Sequence, residues 1–115
     1  MPDEEWMAIR DYPNYVISSC GRVMNIHSQR LLKAYQDNCG GYLCVNLWKN
    51  NKGKTLRIHT LVYSNFYDDF ALDGYVINHI DGNKQNNNKA NLEKITYQEN
   101  NLHAVYTIKT NNSAK

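Results

Sequence analysis

No apolar run in this 115-residue chain approaches the roughly 18 residues that a membrane span needs, so none is expected. Cysteine is scarce. Cys20, Cys39 and Cys44 are odd in number and lack paired spacing, which argues against a disulfide framework. A structural zinc site usually takes about four ligands, often as two Cys-x-x-Cys pairs, and the nearest two cysteines here stand across CGGYLC. Three reduced thiols are the expectation. The opening MPDEEWMAIRDYP is acidic and lacks the apolar segment of a secretion signal. An intracellular protein is expected, in the cytoplasm of a bacterial or virus-infected cell or in a nucleus. No internal repeat is visible, nor any base-stacking motif of an RNA-binding module. The length suits one domain with a small core.

A strong overall charge is also missing, since the formal net charge is only +2. Its distribution is uneven. Residues 1–21 set Arg10 against Asp3, Glu4, Glu5 and Asp11. Residues 22–57 carry Arg22, Arg30, Lys33, Lys49, Lys52, Lys54 and Arg57 against Asp37 alone. Residues 58–82 hold Asp68, Asp69, Asp73 and Asp81 with no lysine or arginine, and residues 83–115 are mildly basic again. The basic block alternates with aromatic and β-branched residues, the pattern of a surface that tracks phosphates. A solvated sheet face guarded by lysines has the same pattern.

The first half reads as β. NYVIS, VMNI, LLKAYQ, YLCVNLWK and KTLRIH are short strand segments separated by the turns SCGR, HSQR, DNCGG and NNKG. In YLCVNLWK, Leu43, Val45 and Leu47 fall on one face and predict the core side. Together these segments predict a small twisted antiparallel sheet. From about His59 the period changes, and Leu61, Val62, Phe66 and Phe70 predict an amphipathic helix that LDG breaks. YVINH and LEKI then read as two strands joined by a long loop. Thr96, followed three residues later by Glu99, is a capping-box signature for a helix running to about Tyr106. Trp6, Tyr12, Tyr15 and Trp48 are expected in the core, and His27 in an exposed turn.

The loop holds an unusual crowd of amides. Asparagine favours turns, so Asn83, Asn86, Asn87 and Asn88 are most simply loop chemistry, and Asp81 and Gly82 turn formers. Asn78 and His79 end a strand, Asn91 ends the loop, and Asn100 and His103 share one face of the final helix. A strand end facing a helix start would gather an imidazole and amide oxygens at one cleft.

The stretch NHIDGNKQNNNKANLEKITYQENNLHA resembles the HNH endonuclease family, in its phage and intron-encoded homing branch. The likeness is carried by NHIDGNK, NNxxxNLE, the threonine before the helix, and ENxxHA. Upstream, Trp6, YPNYVISSCGRV, GGYLCVNL and IHTLV…F resemble the modular DNA-binding domain that often precedes this nuclease. The resemblance implies an α+β fold with a DNA-binding β region over 1–57, a connecting helix over 58–72, a ββα-metal nuclease motif over 73–107 and a polar tail over 108–115.

The resemblance also implies roles. His79 is the general base that takes a proton from the attacking water, and Asn91 holds the loop and His79 in place. Asn100 and Asn78 are metal ligands through their amide oxygens, for Mg2+ or Mn2+. His103 either touches the phosphate or only packs in the cleft. His59, which also matches a family position, is expected to be structural. Lys84 and Lys89 join the seven basic residues of the N-terminal block as phosphate-contact candidates. The expected partner is double-stranded DNA, nicked by a monomer or cut on both strands by a homodimer. The alternatives are an inactive DNA-binding module of the same fold and a weakly specific, toxin-like nuclease.

Overall fold

The computed structural model describes residues 4–37 and 40–97. The predicted final helix, with Asn100 and His103, lies outside the described residues, as does Cys39.

The fold is α+β, and the N-terminal strands divide between two antiparallel sheets where the alternation predicts one. The first sheet runs in sequence order through β1 (Trp6–Ile9), β2 (Tyr12–Ser18), β3 (Val23–Asn25) and β4 (Arg30–Leu31). The second contains β5 (Tyr35–Gln36), β6 (Leu43–Lys49) and β7 (Lys52–Arg57). LLKAYQ is thus split, with Leu31 closing one sheet and Tyr35 and Gln36 opening the next. β1 carries no clear alternation of its own. It exists because Trp6, Met7 and Ala8 pair with Ser18, Ile17 and Val16. NNKG closes the β6–β7 hairpin as predicted, with Lys49 opposite Lys52. Asn50 and Asn51 both adopt left-handed φ, the conformation of a two-residue turn that matches strand twist.

β7 runs directly into α1 (Ile58–Phe66). This helix is short and has no side-chain cap at its start. Its stability comes from packing, because Ile58, Leu61 and Val62 form a buried stripe at helical spacing. The Asn65 side chain accepts from the Arg10 backbone N–H at 2.9 Å, which ties the helix to the β1–β2 turn. α1 ends earlier than predicted, where Asp68 turns to a left-handed φ. Phe70 therefore lies outside the helix and beneath the Arg10 guanidinium, 4.4 Å from its ring centre.

The third sheet is the pair β8 (Tyr75–His79) and β9 (Leu92–Thr96), as YVINH and LEKI predict. One core serves all three sheets. Ile9, Tyr15, Ile17 and Val23 meet Val45 and Leu47 from β6, the buried stripe of α1, and Leu92 from β9. The predicted alternation of β6 holds at Val45 and Leu47, but Cys44 on the opposite face is also buried, under Asp37.

Tyr15 is in the core, but Trp6 and Trp48 are not. Trp48 is 58% exposed, and its ring lies flat on Gly53, its cross-strand partner. A Cβ there would stand 2.9 Å from the indole, so a bare backbone is needed beneath it. His27 is exposed in a turn, bonded to Asn14 at 2.9 Å. No helix among the described residues is long and apolar enough to cross a membrane.

Candidate functional site

β8 ends at His79, in register with Leu92 of β9. Because Leu92 belongs to the core, His79 turns inward and is only 6% exposed. Its ring meets two others, His59 at 5.1 Å and Tyr42 at 5.9 Å between centroids. These three rings line one wall of a cleft of about 350 Å³, shared with Arg57, Asn78, Lys84 and Tyr97.

The Nε2 of His79 lies 2.7 Å from Oδ1 of Asn87, which is 3% exposed. An amide oxygen can only accept, so Nε2 must carry the hydrogen. The neutral ring then keeps its lone pair at Nδ1. Asn87 was expected to be loop chemistry, and the structure corrects this. Its side chain is buried because the turn at Gly21 presses on it. Gly21 has φ +93°, and a Cβ there would stand 2.9 Å from the Asn87 Cβ. Within an asparagine-rich loop, nothing in the sequence distinguishes Asn87 from its neighbours.

The loop around it is held by its own amides. Asn91 accepts from the Asp81 backbone N–H at 3.0 Å and donates to Asp81 Oδ1 and the Asn86 carbonyl, each at 2.9 Å. Its carbonyl accepts from the Ile80 N–H at 2.8 Å. Asp81 is the other hub. The Asn86 side chain, the Asn83 backbone N–H and the Asn91 side chain all donate to its carboxylate, holding it below the usual carboxylate range. Asn88 caps the single 3₁₀ turn Lys89–Asn91. Replacing Asn91 with alanine leaves the part-buried Asn86 carbonyl and the Asp81 N–H without this partner, so we expect a stability loss of about 1–2 kcal/mol. Urea unfolding of the variant measures it, and an unchanged midpoint would show that the loop holds itself without this amide.

Asn78 sits opposite Glu93 in the β8–β9 register. Its Nδ2 donates to Glu93 Oε2 at 2.8 Å, so Oδ1 is the end of the amide that can accept. Glu93 is a further residue that the sequence did not single out as part of the site. Among the described residues, no three His, Cys, Asp or Glu side chains cluster as metal ligands.

His59 was expected to be structural, but its ring belongs to the cleft wall. It is 6% exposed and its Nδ1 has no hydrogen-bond partner. Burial, then the neighbouring His79 and Arg57, push its pKa down to about 4. The unfolded chain therefore takes up this proton first as pH falls. Stability from the neutral ring is complete above about pH 6.5 and is lost between about 6.5 and 4, by up to about 3 kcal/mol. Melting temperatures from pH 7 to 4.5 should fall less steeply for His59→Phe than for the parent chain. Parallel curves would mean that this ring does not resist protonation.

The basic candidates separate into groups. Arg57 bonds Asp37 at 2.9 Å, and Lys84 bonds the Gly40 carbonyl at 2.7 Å. Both reach the cleft. Arg22 is ion-paired with Glu4 and Lys89 with Glu5. The Glu4 carboxyl is held at about 2 by the Arg22 guanidinium. Arg30 and Lys33 lie at and just beyond β4, and Lys49, Lys52 and Lys54 on the β6–β7 hairpin.

Residues 4–48 match the model of the NUMOD4 motif, and residues 57–102 that of an HNH endonuclease family. The chain is 42% identical over 101 residues to an uncharacterized HNH endonuclease, L245, of Acanthamoeba polyphaga mimivirus, covering 88% of this chain and 30% of that protein. It is 39% identical over 97 residues to DNA endonuclease I-HmuI of Bacillus phage SP01, covering 84% of this chain and 55% of that protein. A solved structure titled for DNA binding and cleavage by the HNH homing endonuclease I-HmuI superposes with a TM-score of 0.77 at 36% identity. It covers 92% of this chain and 60% of the solved one. The chain thus spans only part of the length of each of these relatives. A NUMOD4 motif thus leads into an HNH endonuclease region on a shared core, and over these residues the chain is similar to HNH homing endonucleases.

Proposed function

We propose that this chain hydrolyses phosphodiester bonds of double-stranded DNA, with His79 as general base and a divalent ion at the cleft. The observation that carries the reading is the His79–Asn87 pair. A buried imidazole with Nε2 committed to an amide oxygen keeps Nδ1 as its proton acceptor, in a cleft that Arg57 and Lys84 also line. Imidazole is the side chain best suited to proton transfer near neutral pH.

The donors fit a hard ion. Asn78 offers an amide oxygen whose orientation Glu93 fixes, and amide and carboxylate oxygens suit Mg2+ or Mn2+ better than softer metals. Asn78 and Asn100 would hold the ion. When bound, such an ion stabilises negative charge developing on the phosphate and the leaving 3′ oxygen. Two neutral amides bind a hard ion weakly, so the DNA phosphate itself contributes to the site. Asn91 keeps the loop, and with it Asn87, in place behind the base. His103, three residues after Asn100 in the sequence, is a further candidate for contact with the phosphate or leaving group.

Arg57 and Lys84 flank the scissile phosphate. Arg30, Lys33, Lys49, Lys52 and Lys54 contact the backbone further along the duplex, with Arg22 and Lys89 contributing less because glutamates already hold them. One such site cuts one strand, so a monomer nicks and a homodimer makes a double-strand break.

The end chemistry tests the reaction. Displacement of the 3′ oxygen leaves a 5′ phosphate and a 3′ hydroxyl, so DNA ligase should reseal the nicks directly. Nicks that resist ligase until a phosphatase or kinase has acted would contradict this route.

A further inference from the structure

Tyr42 belongs to the N-terminal module, yet it stands at the centre of the nuclease cleft. Its ring is tilted on His59 at 4.9 Å and stacked on His79 at 5.9 Å, with 24° between the latter planes. The Arg57 guanidinium lies 4.7 Å from its ring centre and the Lys84 ammonium 5.0 Å. One aromatic ring therefore contacts both imidazoles and both cations of the site. Aromatic pairs favour centroid separations of about 4.5–7 Å, and cations are held over rings within about 6 Å.

The segment that carries Tyr42 is itself fixed. Asp37 accepts from the Gly41 and Tyr42 backbone N–H groups at 3.1 and 3.2 Å, and its other oxygen accepts from Arg57 at 2.9 Å. Lys84 in turn donates to the Gly40 carbonyl. The ring and the cations it touches are thus bound to the same short stretch of chain. On the far side of His79, the Gly21 turn of the same module presses on Asn87. The base is held from both flanks by residues that precede the nuclease unit.

We infer that Tyr42 is a positioning residue of the nuclease site, so that the upstream module completes the cleft as well as gripping DNA. The inference rests on the nuclease reading above. The Tyr42 ring sets the plane of His79 and holds Arg57 and Lys84 where a phosphate enters. Because the ring supplies a face rather than a proton, phenylalanine replaces it and alanine does not.

The test compares Tyr42→Ala and Tyr42→Phe in the full chain, with three readings. Single-turnover plasmid nicking at saturating protein should fall about 10- to 100-fold in Tyr42→Ala, the scale of a misplaced reacting group, and stay near the parent rate in Tyr42→Phe. Binding to a labelled duplex should weaken less than nicking does. The ring 1H–13C signals of His79, assigned with His79→Gln, should lose the ring-current shift of a stacked neighbour in Tyr42→Ala and keep it in Tyr42→Phe. Parent-like nicking and unchanged His79 signals in Tyr42→Ala would overturn the inference. The spectrum needs no turnover. An inert parent chain whose His79 signals still depend on Tyr42 would support the positioning and overturn only the nuclease reading.

Discussion

His79→Ala should abolish nicking while leaving DNA binding close to that of the parent chain. Loss of a general base costs about 10²- to 10⁴-fold, and none of the cations proposed to hold phosphate is removed. The ring is buried against Tyr42 and His59, so alanine also leaves a cavity. His79→Gln is the companion variant, since it keeps most of the volume and can still hydrogen-bond Asn87. Both should lose single-turnover cleavage, and both should still shift duplex DNA at low salt. Equal cleavage by His79→Gln and the parent would remove His79 from the chemistry.

Asn87→Leu should be the second most damaging change. It removes the acceptor for the His79 Nε2–H and leaves that donor buried. A buried donor without a partner costs about 1–3 kcal/mol, and the ring is free to exchange tautomers or rotate. We expect nicking to fall about 10- to 100-fold, as when the orienting partner of a functional imidazole is lost. Asn87→Asp keeps an acceptor and should recover part of the rate. The ring 15N shifts of His79 read the cause directly. Hydrogen should sit on Nε2 in the parent chain, with a mixture of tautomers in Asn87→Leu. A leucine variant with parent-like tautomer and rate would show that the imidazole is oriented by its ring neighbours alone.

The two predictions differ in how visible they were. His79 stands out in sequence through the resemblance of NHIDGNK to the HNH family, and β8 and β9 formed where YVINH and LEKI placed them. The hairpin turn at Asn50 and Asn51 was equally local. Asn87 was hidden for the opposite reason. Its role depends on the Gly21 turn closing over it, a contact between distant parts of the chain that leaves no mark in either segment. Tyr42 and His59 became cleft residues through the same tertiary packing. Trp48 was misjudged because its exposure depends on what lies opposite it. Burial is usual for a tryptophan, but the bare Gly53 let the ring rest on the sheet surface. Phe70 fitted the helical stripe, but α1 had already ended at a left-handed Asp68. Local patterns fixed the strands and turns, whereas the contacts of Asn87, Tyr42 and His59 with the imidazole required the fold.

Exposed phosphate contacts weaken with salt, whereas the His79–Asn87 pair is buried and insensitive to it. Affinity and cleavage should therefore separate as salt rises, with the rate per bound complex changing less than the fraction bound.

The most direct measurement is cleavage of supercoiled plasmid by the parent chain with Mg2+ or Mn2+, beside a chelator control and a binding assay in the same buffer. Relaxed circles that appear with metal and vanish with chelator are the expected result. Linear product without a nicked precursor would add a homodimer to it. Duplex binding with no cleavage in either ion would contradict the nuclease reading and leave a DNA-binding module built on the same fold.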